Sequence, residues 1–540
     1  MREQNIENNG EMEQGYLSDA KPIERFDINT KDSVFAIIFV VSSIIMSALG
    51  IFGGFRMGFT LAAIILLAVI TFYFITKEIK SSTYSVICFI LSFGLSVNFS
   101  VTSNSSVRFW SFVLLVLLQL VWFTSLVNKD RADGDLGIIK EIVLPIFSLA
   151  LPNLPNAIAS LLAGRKNQTI GKIFLGIIPA IPVLIVIIPL LMSSDEAFSG
   201  MISLVFENIA LLVFEIIFGF IISIFLIAYC FSLKKKKFPE IKESDFKGLE
   251  NIPVISFLSV LAICYLSYLF SQLAYFFSAF SGFLPSGYEF SVSSYARRGF
   301  FEMSIISAIN FVIIFAVLLL SLKKNGKINL VSRILCTFIG IFTLMIIATA
   351  LSKMFLYINS FGMTELRINT SVFMIFLAVV FIALMIRLYV PSVKVIKIGL
   401  ITAAIALIIL GTANVNSVIA KYNYEAYKNG TLKDIDVSTI YMLGDEGIPY
   451  LAELMNDENN DVANWARLQI SYSYEHYYEI IDNDDNQHIE VGEKKYKDIG
   501  EFSFSRNKGY KVLDSILKND PQIANYQREY AEVQNFENEW

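Results

Sequence analysis

The stretch "FFEMSIISAINFVIIFAVLLLSL", residues 300–322, decides the fold class. A helix needs about 20 mainly apolar residues to cross the hydrocarbon core of a bilayer. This run supplies them with a single charged side chain, that of Glu302, and two arginines, Arg297 and Arg298, stand just before it. The stretch therefore predicts a membrane-spanning helix that carries charge at one end.

Runs of this kind recur through most of the chain. Of the 540 residues 55% are hydrophobic and 17% charged, with a mean hydropathy of +0.59. A soluble domain carries more charge than this. We therefore predict an all-α, polytopic helical membrane protein with about 11 transmembrane helices. The predicted spans are 34–52, 59–75, 84–101, 109–127, 173–192, 209–231, 252–277, 300–322, 331–357, 371–389 and 396–413.

Residues 142–163 are apolar but are interrupted by three prolines and two asparagines, which are unfavourable in lipid. If they do not cross, most lysines and arginines fall in cytoplasmic loops, as the positive-inside rule expects. We therefore predict an interfacial or re-entrant segment here, with a cytoplasmic amino terminus and an extracytoplasmic carboxyl terminus. The outer loops then hold few basic residues: Arg56, Arg108, Arg297, Arg298 and Arg367.

Three regions follow from the composition. Residues 1–32 are predicted to be a polar cytoplasmic N-terminal tail, and 33–413 the transmembrane domain. Residues 414–540 carry 24 acidic against 12 basic side chains, although the whole chain has a net charge of only −5. Apolar residues recur there at helical spacing, for example Ile448, Leu451 and Leu454. We predict a small, acidic, helical extracytoplasmic C-terminal domain.

Four stretches resemble a family of bacterial multi-pass membrane proteins known as a domain of unknown function, of the 4153/4173 type. They are "YARRGFFEM" (Tyr295–Met303), "LLMSSDEAF" (Leu190–Phe198), "FGMTELRI" (Phe361–Ile368) and the segment Asn414–Leu451, which ends in "GDEGIPYL". In that last segment Val415 replaces the family's usual proline. The resemblance implies a membrane fold and location, and it implies no reaction.

Charged residues gather where the predicted topology places the outer membrane surface. Arg298 and Glu302 are four residues apart and can pair on one helix face. One interpretation is an outward-facing polar site for a lipid headgroup or an anionic envelope polymer, since arginine suits phosphate and carboxylate. The alternative is a structural salt-bridge network between span ends. The ligand-binding candidates are Arg297, Arg298, Glu302, Asp195, Glu196, Glu365, Arg367 and Lys353.

Glu215 lies about 9 Å inside its predicted span, at 1.5 Å per residue. A carboxylate at that depth is costly, so Glu215 is either a coupling group or a structural hydrogen-bonding residue. The buried polar residues Asn98, Gln119, Gln272 and Asn310 are interpreted as contacts between helices.

The stretch "DNDDNQHIEVGE", Asp482–Glu493, invites comparison with a calcium-binding loop. Oxygen-bearing side chains occupy ligand positions, but Gln487 stands where the sharp turn of an EF-hand needs glycine. A solvated acidic loop is the alternative to a metal site. The weak metal-ligand candidates are Asp482, Asp484, Asn486, Glu490 and Glu493.

No catalytic motif is visible, so we expect neither an enzyme nor a cofactor. Two functions lead: transport or handling of lipid or an anionic envelope component, and a non-catalytic envelope sensor or scaffold. A membrane enzyme acting on an envelope polymer comes third, since no catalytic constellation supports it. The expected partners are membrane lipid and either an anionic envelope component or an envelope protein, but not nucleic acid. The expected location is the bacterial plasma membrane.

Overall fold

The fold is helical throughout most of the chain. The computed structural model describes residues 30–78, 82–127, 151–162, 180, 183, 187, 190, 191, 193–234, 248–280, 300–322, 327–483, 488–494 and 502–526. Within these residues, ten helices are long and apolar enough to cross a membrane. They correspond to ten of the eleven predicted spans, and the remaining one, 173–192, lies mainly outside the described residues. The prediction of a multi-pass helical membrane protein is confirmed.

The helices of the membrane part are numbered in chain order. They are α1 (Thr30–Ile45, continued by a π-helix at Met46–Phe52), α2 (Met57–Thr76), α3 (Thr83–Val101), α4 (Ser105–Val127), α5 (Leu151–Leu162), α6 (Glu196–Lys234), α7 (Asn251–Phe280), α8 (Phe300–Leu320), α9 (Leu330–Phe361), α10 (Glu365–Tyr389) and α11 (Val395–Thr412).

The chain divides into two compact units. The first comprises Met1–Ala48, Val69–Glu78 and Ile142–Pro239, and so contains α1, the end of α2, α5 and α6. The Nζ atom of Lys77 lies 2.5 Å from Oδ1 of Asp32, and both side chains are largely buried. This ion pair fastens the start of α1 to the end of α2.

Close helix packing in the first unit depends on a small residue. A Cβ atom at Gly219 of α6 would lie 2.6 Å from the Cα atom of Ile44. Glycine is therefore what lets α6 approach the backbone of α1. Helix α5, whose described part has 12 residues, packs beside both.

The second unit comprises Leu49–Ala68, Ile79–Glu141 and Glu240–Trp540. Helices α7 to α10 surround one of its apolar cores. Buried Asn310 bridges three of these helices, because Tyr265 donates to its Oδ1 at 2.6 Å and its Nδ2 donates to Thr343 at 2.9 Å. The prediction that Asn310 joins helices is confirmed.

Asn98 does the same for α3, α4 and α11. Its Nδ2 donates to the hydroxyl of Ser111 at 3.0 Å and to the carbonyl oxygen of Leu407 at 2.9 Å. A Cβ atom at Gly411 would lie 2.2 Å from Asn98, so glycine is needed opposite the amide. By contrast, Gln119 makes no hydrogen bond within the described residues, and the side chain of Gln272 lies outside them.

The described residues from 414 onward, here called the tail, form short helices and one hairpin around a second apolar core. Its amphipathic patterns fold as helices, with Ile448, Leu451 and Leu454 fully or almost fully buried, whereas Trp465 is exposed. The elements are α12 (Val415–Lys428), α13 (Val437–Met442), a 3-10 turn (Gly444–Glu446), α14 (Ile448–Leu454), α15 (Asn460–Tyr477), β1 (Tyr478–Asn483), β2 (His488–Lys494), α16 (Phe504–Asn519) and a 3-10 turn (Pro521–Asn525).

One short hairpin lies within the otherwise helical tail. Strands β1 and β2 pair antiparallel, with Ile480 opposite Val491 and Asp482 opposite Ile489. Tyrosine, isoleucine and valine favour strands, and the Asn- and Asp-rich sequence between them favours a turn. The abundance of acidic residues drew the prediction toward a solvated loop and hid this short-range pattern.

Candidate functional site

The predicted anion site is described only in part. Arg297 and Arg298 lie outside the described residues. Glu302 is exposed in the first turn of α8, and Glu365 is half-buried at the start of α10. Lys353 is half-buried in α9. The anion site therefore stays a prediction.

Arg367 has a structural role. Its Nη1 donates to the carbonyl oxygens of Phe361, at 2.9 Å, and of Gly362, and its guanidinium lies 4.1 Å from the ring centre of Tyr357. These contacts place the guanidinium over the carboxyl end of α9, where carbonyl oxygens lack helical partners. For Arg367 the geometry favours a structural role at a span end over ligand binding.

The remaining acidic candidates belong to the first unit. Asp195 is exposed, and its backbone N–H donates to the carbonyl oxygen of Leu191 at 3.1 Å. Glu196 begins α6, with its side chain outside the described part of the chain. Glu215 is half-buried in the same helix. Its role as a coupling group stays a prediction.

The calcium-loop candidates lie on the hairpin. The backbone of Asp482 is in β1, and those of Glu490 and Glu493 are in β2, while Asp484 and Asn486 lie outside the described residues. An EF-hand loop joins two helices, whereas this segment belongs to a hairpin of two strands. Within the described residues, no group of three His, Cys, Asp or Glu side chains could hold a metal ion.

A groove between α4, α10 and α11 encloses a cavity of about 460 Å³. Each helix contributes residues three, four or seven positions apart, which lie on one helix face. Twelve of the fourteen lining residues are apolar. The lining residues are Ser106, Val107, Trp110, Val113, Leu114, Leu117, Asn369, Val372, Phe373, Phe376, Ala403, Ala406, Leu407 and Leu410.

The space exists because α11 presents small side chains where α4 and α10 present large ones. Ala403 and Ala406 face the cavity, whereas Trp110 and Phe373 line it with exposed aromatic rings. From Ser106 to Leu117 the groove runs roughly 16 Å along α4, at 1.5 Å per residue. That length is about half the thickness of a hydrocarbon core.

The polar residues of the groove lie at one end. Ser106 is in the first turn of α4, and Asn369 is in the second turn of α10. The Oδ1 atom of Asn369 is buried and has no hydrogen-bond partner within the described residues. A buried amide oxygen without a donor is unfavourable, so this end of the groove can accept a hydrogen bond.

The same helix ends contact the tail. Glu446, which is 5% exposed, accepts hydrogen bonds from the backbone N–H of Ser103 at 3.2 Å and from its hydroxyl. Arg108 in turn donates to the carbonyl oxygen of Ser103 at 2.8 Å. We call this contact zone between the tail and the span ends the junction.

Two asparagines of α12 extend the junction. Asn416 accepts from Asn104 at 2.8 Å and donates to the carbonyl oxygen of Leu443 at 3.2 Å. Asn423 binds both backbone polar groups of Met363, at 2.7 Å and 2.8 Å. The tail is thus fastened to the loop before α4 and to the loop before α10, two helices that line the groove.

Two neighbouring carboxyl groups are buried at the junction. Burial raises the pKa of Glu446, and hydrogen bonds from Ser103 oppose this only in part. Burial also raises the pKa of Asp445, whose Oδ1 accepts from the hydroxyl of Tyr477. The positive charges of Arg56, Arg108 and His476 act on Asp445 in the opposite direction.

A family model, "Domain of unknown function (DUF4153)", matches residues 61–454 of the chain. The chain belongs to DUF4153. No curated protein and no solved structure matches it. The DUF4153 match covers the groove and the junction residues up to Glu446. Two of the stretches that carry the resemblance, Phe361–Ile368 and Asn414–Leu451, meet through the hydrogen bonds between Met363 and Asn423.

Reasoning from sequence missed both the groove and the junction in this DUF4153 protein. Alanines such as Ala403 and Ala406 in an apolar span carry no signal that distinguishes a groove from close packing. Glu446 and Asp445 lie in an acidic region, where no local signal distinguishes a buried carboxyl group from a solvated one. The stretch "GDEGIPYL" carries the family resemblance and two apolar residues at helical spacing, but the burial of its Glu446 depends on a contact with Ser103, 343 positions away.

Proposed function

We propose that this DUF4153 protein binds a membrane lipid, with one hydrocarbon chain in the groove between α4, α10 and α11. The observation that carries the proposal is the apolar cavity of about 460 Å³, which lies on helices apolar enough to cross a membrane. Ligand pockets are typically about 300–1,000 Å³ and mostly apolar, with a few placed polar groups. The proposal is of a binding function without catalysis.

The orientation of the lipid follows from where the polar groups lie. Ser106 and Asn369 are at the end of the groove next to the junction, and Leu117 is at the other end. The chain is therefore expected to extend toward the bilayer centre from a more polar part of the lipid near Asn369. The partnerless Oδ1 atom of Asn369 favours a lipid with a hydrogen-bond donor close to its chains.

A pair of variants on α11 tests the groove. Ala406→Phe places a ring in the cavity, whereas Ile409→Phe adds a ring at a side chain that is 58% exposed and does not line the cavity. Phospholipids with a photoactivatable acyl chain should crosslink to peptides of α4, α10 and α11 in the wild-type protein. The Ala406→Phe variant should lose most of this labelling, and the Ile409→Phe variant should keep it.

Native mass spectrometry in mild detergent gives a second measurement on the same variants. A lipid that remains bound to the wild-type protein and to the Ile409→Phe variant, but not to Ala406→Phe, supports the proposal. Equal lipid retention and equal crosslinking in all three proteins would show that the groove holds no specific lipid.

A sensor is the second candidate function, and the junction favours it. Glu446 and Asn423 attach the tail to the loops before α4 and α10, so a change in the separation of these helices alters the junction. Hydrogen exchange of the tail would test this. Slower exchange around residues 443–447 in the lipid-bound wild-type protein, but not in Ala406→Phe, would support a sensor. Unchanged exchange would oppose it.

A further inference from the structure

The start of α16 is held at the level of the span ends. The backbone N–H of Met57, the first residue of α2, donates to the carbonyl oxygen of Phe502 at 3.2 Å. The hydroxyl of Ser505 donates to the carbonyl oxygen of Val101, the last residue of α3, at 3.2 Å. Asn414, just after α11, donates to the same hydroxyl at 2.8 Å. Residues 502–505 therefore lie where three spans leave the apolar layer.

Phe504 sits in this segment with its ring exposed. Its side chain is 61% exposed and contacts the ring of Phe502 edge-on at 5.4 Å between centres. In the first turns of α4, Phe109 and Trp110 are exposed to similar degrees, 58% and 57%. Tryptophan is enriched where spans meet the headgroup layer, and exposed phenylalanine is typical of the membrane-facing side of interfacial helices.

Some exposed apolar side chains of the tail are close in sequence to its contacts with the span ends. Three of the five lie within two residues of a junction contact: Val418 follows Asn416, Met442 precedes Leu443, and Phe504 precedes Ser505. The five exposed large apolar residues of the described tail are Val418, Met442, Trp465, Tyr472 and Phe504.

The exposed face of α16 that begins with Phe504 is basic. Lys508, Lys511 and Lys518 follow at four, seven and fourteen residues, which places them on the same face, and all three are exposed. None of the three pairs with a carboxylate within the described residues. The tail as a whole is acidic, with 24 acidic and 12 basic residues, so this basic face differs from its surroundings.

Distance along the helix separates the three lysines. At 1.5 Å per residue, Lys508 and Lys511 lie roughly 6 and 10 Å from Phe504, and Lys518 lies roughly 21 Å away. The headgroup region is about 5–8 Å thick on each side of the hydrocarbon core. Lysine side chains extend toward such layers, so the first two can reach headgroup phosphates.

We propose that the start of α16 is an interfacial anchor for the tail. Phe504 enters the boundary between headgroups and acyl chains, and Lys508 and Lys511 contact the phosphates of anionic phospholipids. Basic segments close to a membrane surface are attracted to anionic phospholipids. This inference does not depend on lipid in the groove, which lies on other helices.

Spin labelling of the full-length protein in nanodiscs tests the anchor. Cys264 is exposed and is replaced by serine, while the other three cysteines are buried. A nitroxide is then attached at Phe504→Cys, Lys508→Cys or Lys518→Cys. The label at 504 should collide more with oxygen than with a water-soluble nickel complex, the label at 518 should show the reverse, and the label at 508 should fall between them.

Charge-reversal variants test the headgroup contact with the label kept at 504. In phosphatidylglycerol-containing nanodiscs, Lys508→Glu together with Lys511→Glu should shift the label toward the nickel complex. The matched Lys518→Glu should not, and no variant should shift it in purely phosphatidylcholine nanodiscs. The anchor would be overturned if, with all three lysines unchanged, the label at 504 were as accessible to the nickel complex as the label at 518. An equal shift for Lys518→Glu would overturn the assignment of the two lysines.

Discussion

The carboxylate of Glu446 accepts hydrogen bonds from both the backbone N–H and the hydroxyl of Ser103, 343 positions earlier in the chain. This pairing makes an acidic residue of the tail into the cap of a turn between two spans. If the tail separated from the span ends, the carboxylate of Glu446 and the polar groups of Ser103 would lose these hydrogen bonds.

Replacing Glu446 with alanine should weaken the junction. The variant leaves the N–H of Ser103 without its acceptor, and a buried unsatisfied group costs about 1–3 kcal/mol. Hydrogen exchange should become faster at residues 103–107 and 443–447. Glu446→Gln retains an oxygen acceptor and should show a smaller increase. If Glu446→Ala exchanged as slowly as the wild type, the contact would contribute nothing measurable.

Docking of the tail should weaken as the pH rises. Because burial raises the pKa of Glu446 and Asp445 in the folded state, that state binds protons more tightly than the unfolded chain does. Their contribution is then most favourable below the ordinary carboxyl pKa of about 4, and is lost as the pH rises through the raised values.

The pH dependence can be read from hydrogen exchange of the junction after correction for the intrinsic exchange rate. The opening free energy at residues 443–447 should fall as the pH rises above about 4. The double variant Asp445→Asn, Glu446→Gln should flatten this dependence. A wild-type opening free energy that rises with pH over the same interval would contradict the direction of both pKa shifts.

Gly411→Ala should destabilise the membrane part. Its Cβ atom would lie 2.2 Å from Asn98, inside contact distance, so either α11 must move away or the amide must give up its hydrogen bonds. Gly399→Ala is the matched control on the same helix, because its Cβ atom would meet only Val380 at 3.8 Å. Thermal unfolding in detergent should show a lower midpoint for Gly411→Ala alone.

Asn310→Ala should lower stability by about 1 kcal/mol, a typical size for hydrogen bonds between spans. The substitution removes the partner of both Tyr265 and Thr343. A double-mutant cycle with Tyr265→Phe isolates one of these bonds. Strictly additive effects of the two variants would show that the Tyr265–Asn310 bond contributes no coupling.

The spans could be predicted from sequence because one physical quantity, the length of an apolar run, determines them. Asn98 and Asn310 could also be interpreted correctly, since an amide in lipid has few alternatives to a neighbouring helix. Helical spacing of apolar residues predicts a helix but does not show which of them other elements will cover, and Trp465 stays exposed. The groove at Ala406 depends on the sizes of side chains on three helices at once.

The reason why the junction could not be predicted is a different one. The burial of Glu446 is a property of two segments far apart in the chain, and nothing local distinguishes it from a solvated carboxylate. The hairpin, in contrast, had a local signal. The Tyr478–Asn483 strand was not predicted because the acidic residues around it favour a solvated loop.

Asn98 also imposes an order on biogenesis. One of its hydrogen-bond acceptors, Leu407, lies 309 positions later in the chain, whereas Ser111 lies only 13 positions later. At a synthesis rate of about 5–20 residues per second, roughly 15–60 s separate the two residues on the ribosome. During that interval α3 and α4 are in the membrane without the hydrogen bond from Asn98 to α11. That bond forms only after α11 is inserted. A nascent chain that stops before α11 thus leaves the amide of Asn98 without one of its two hydrogen-bond acceptors.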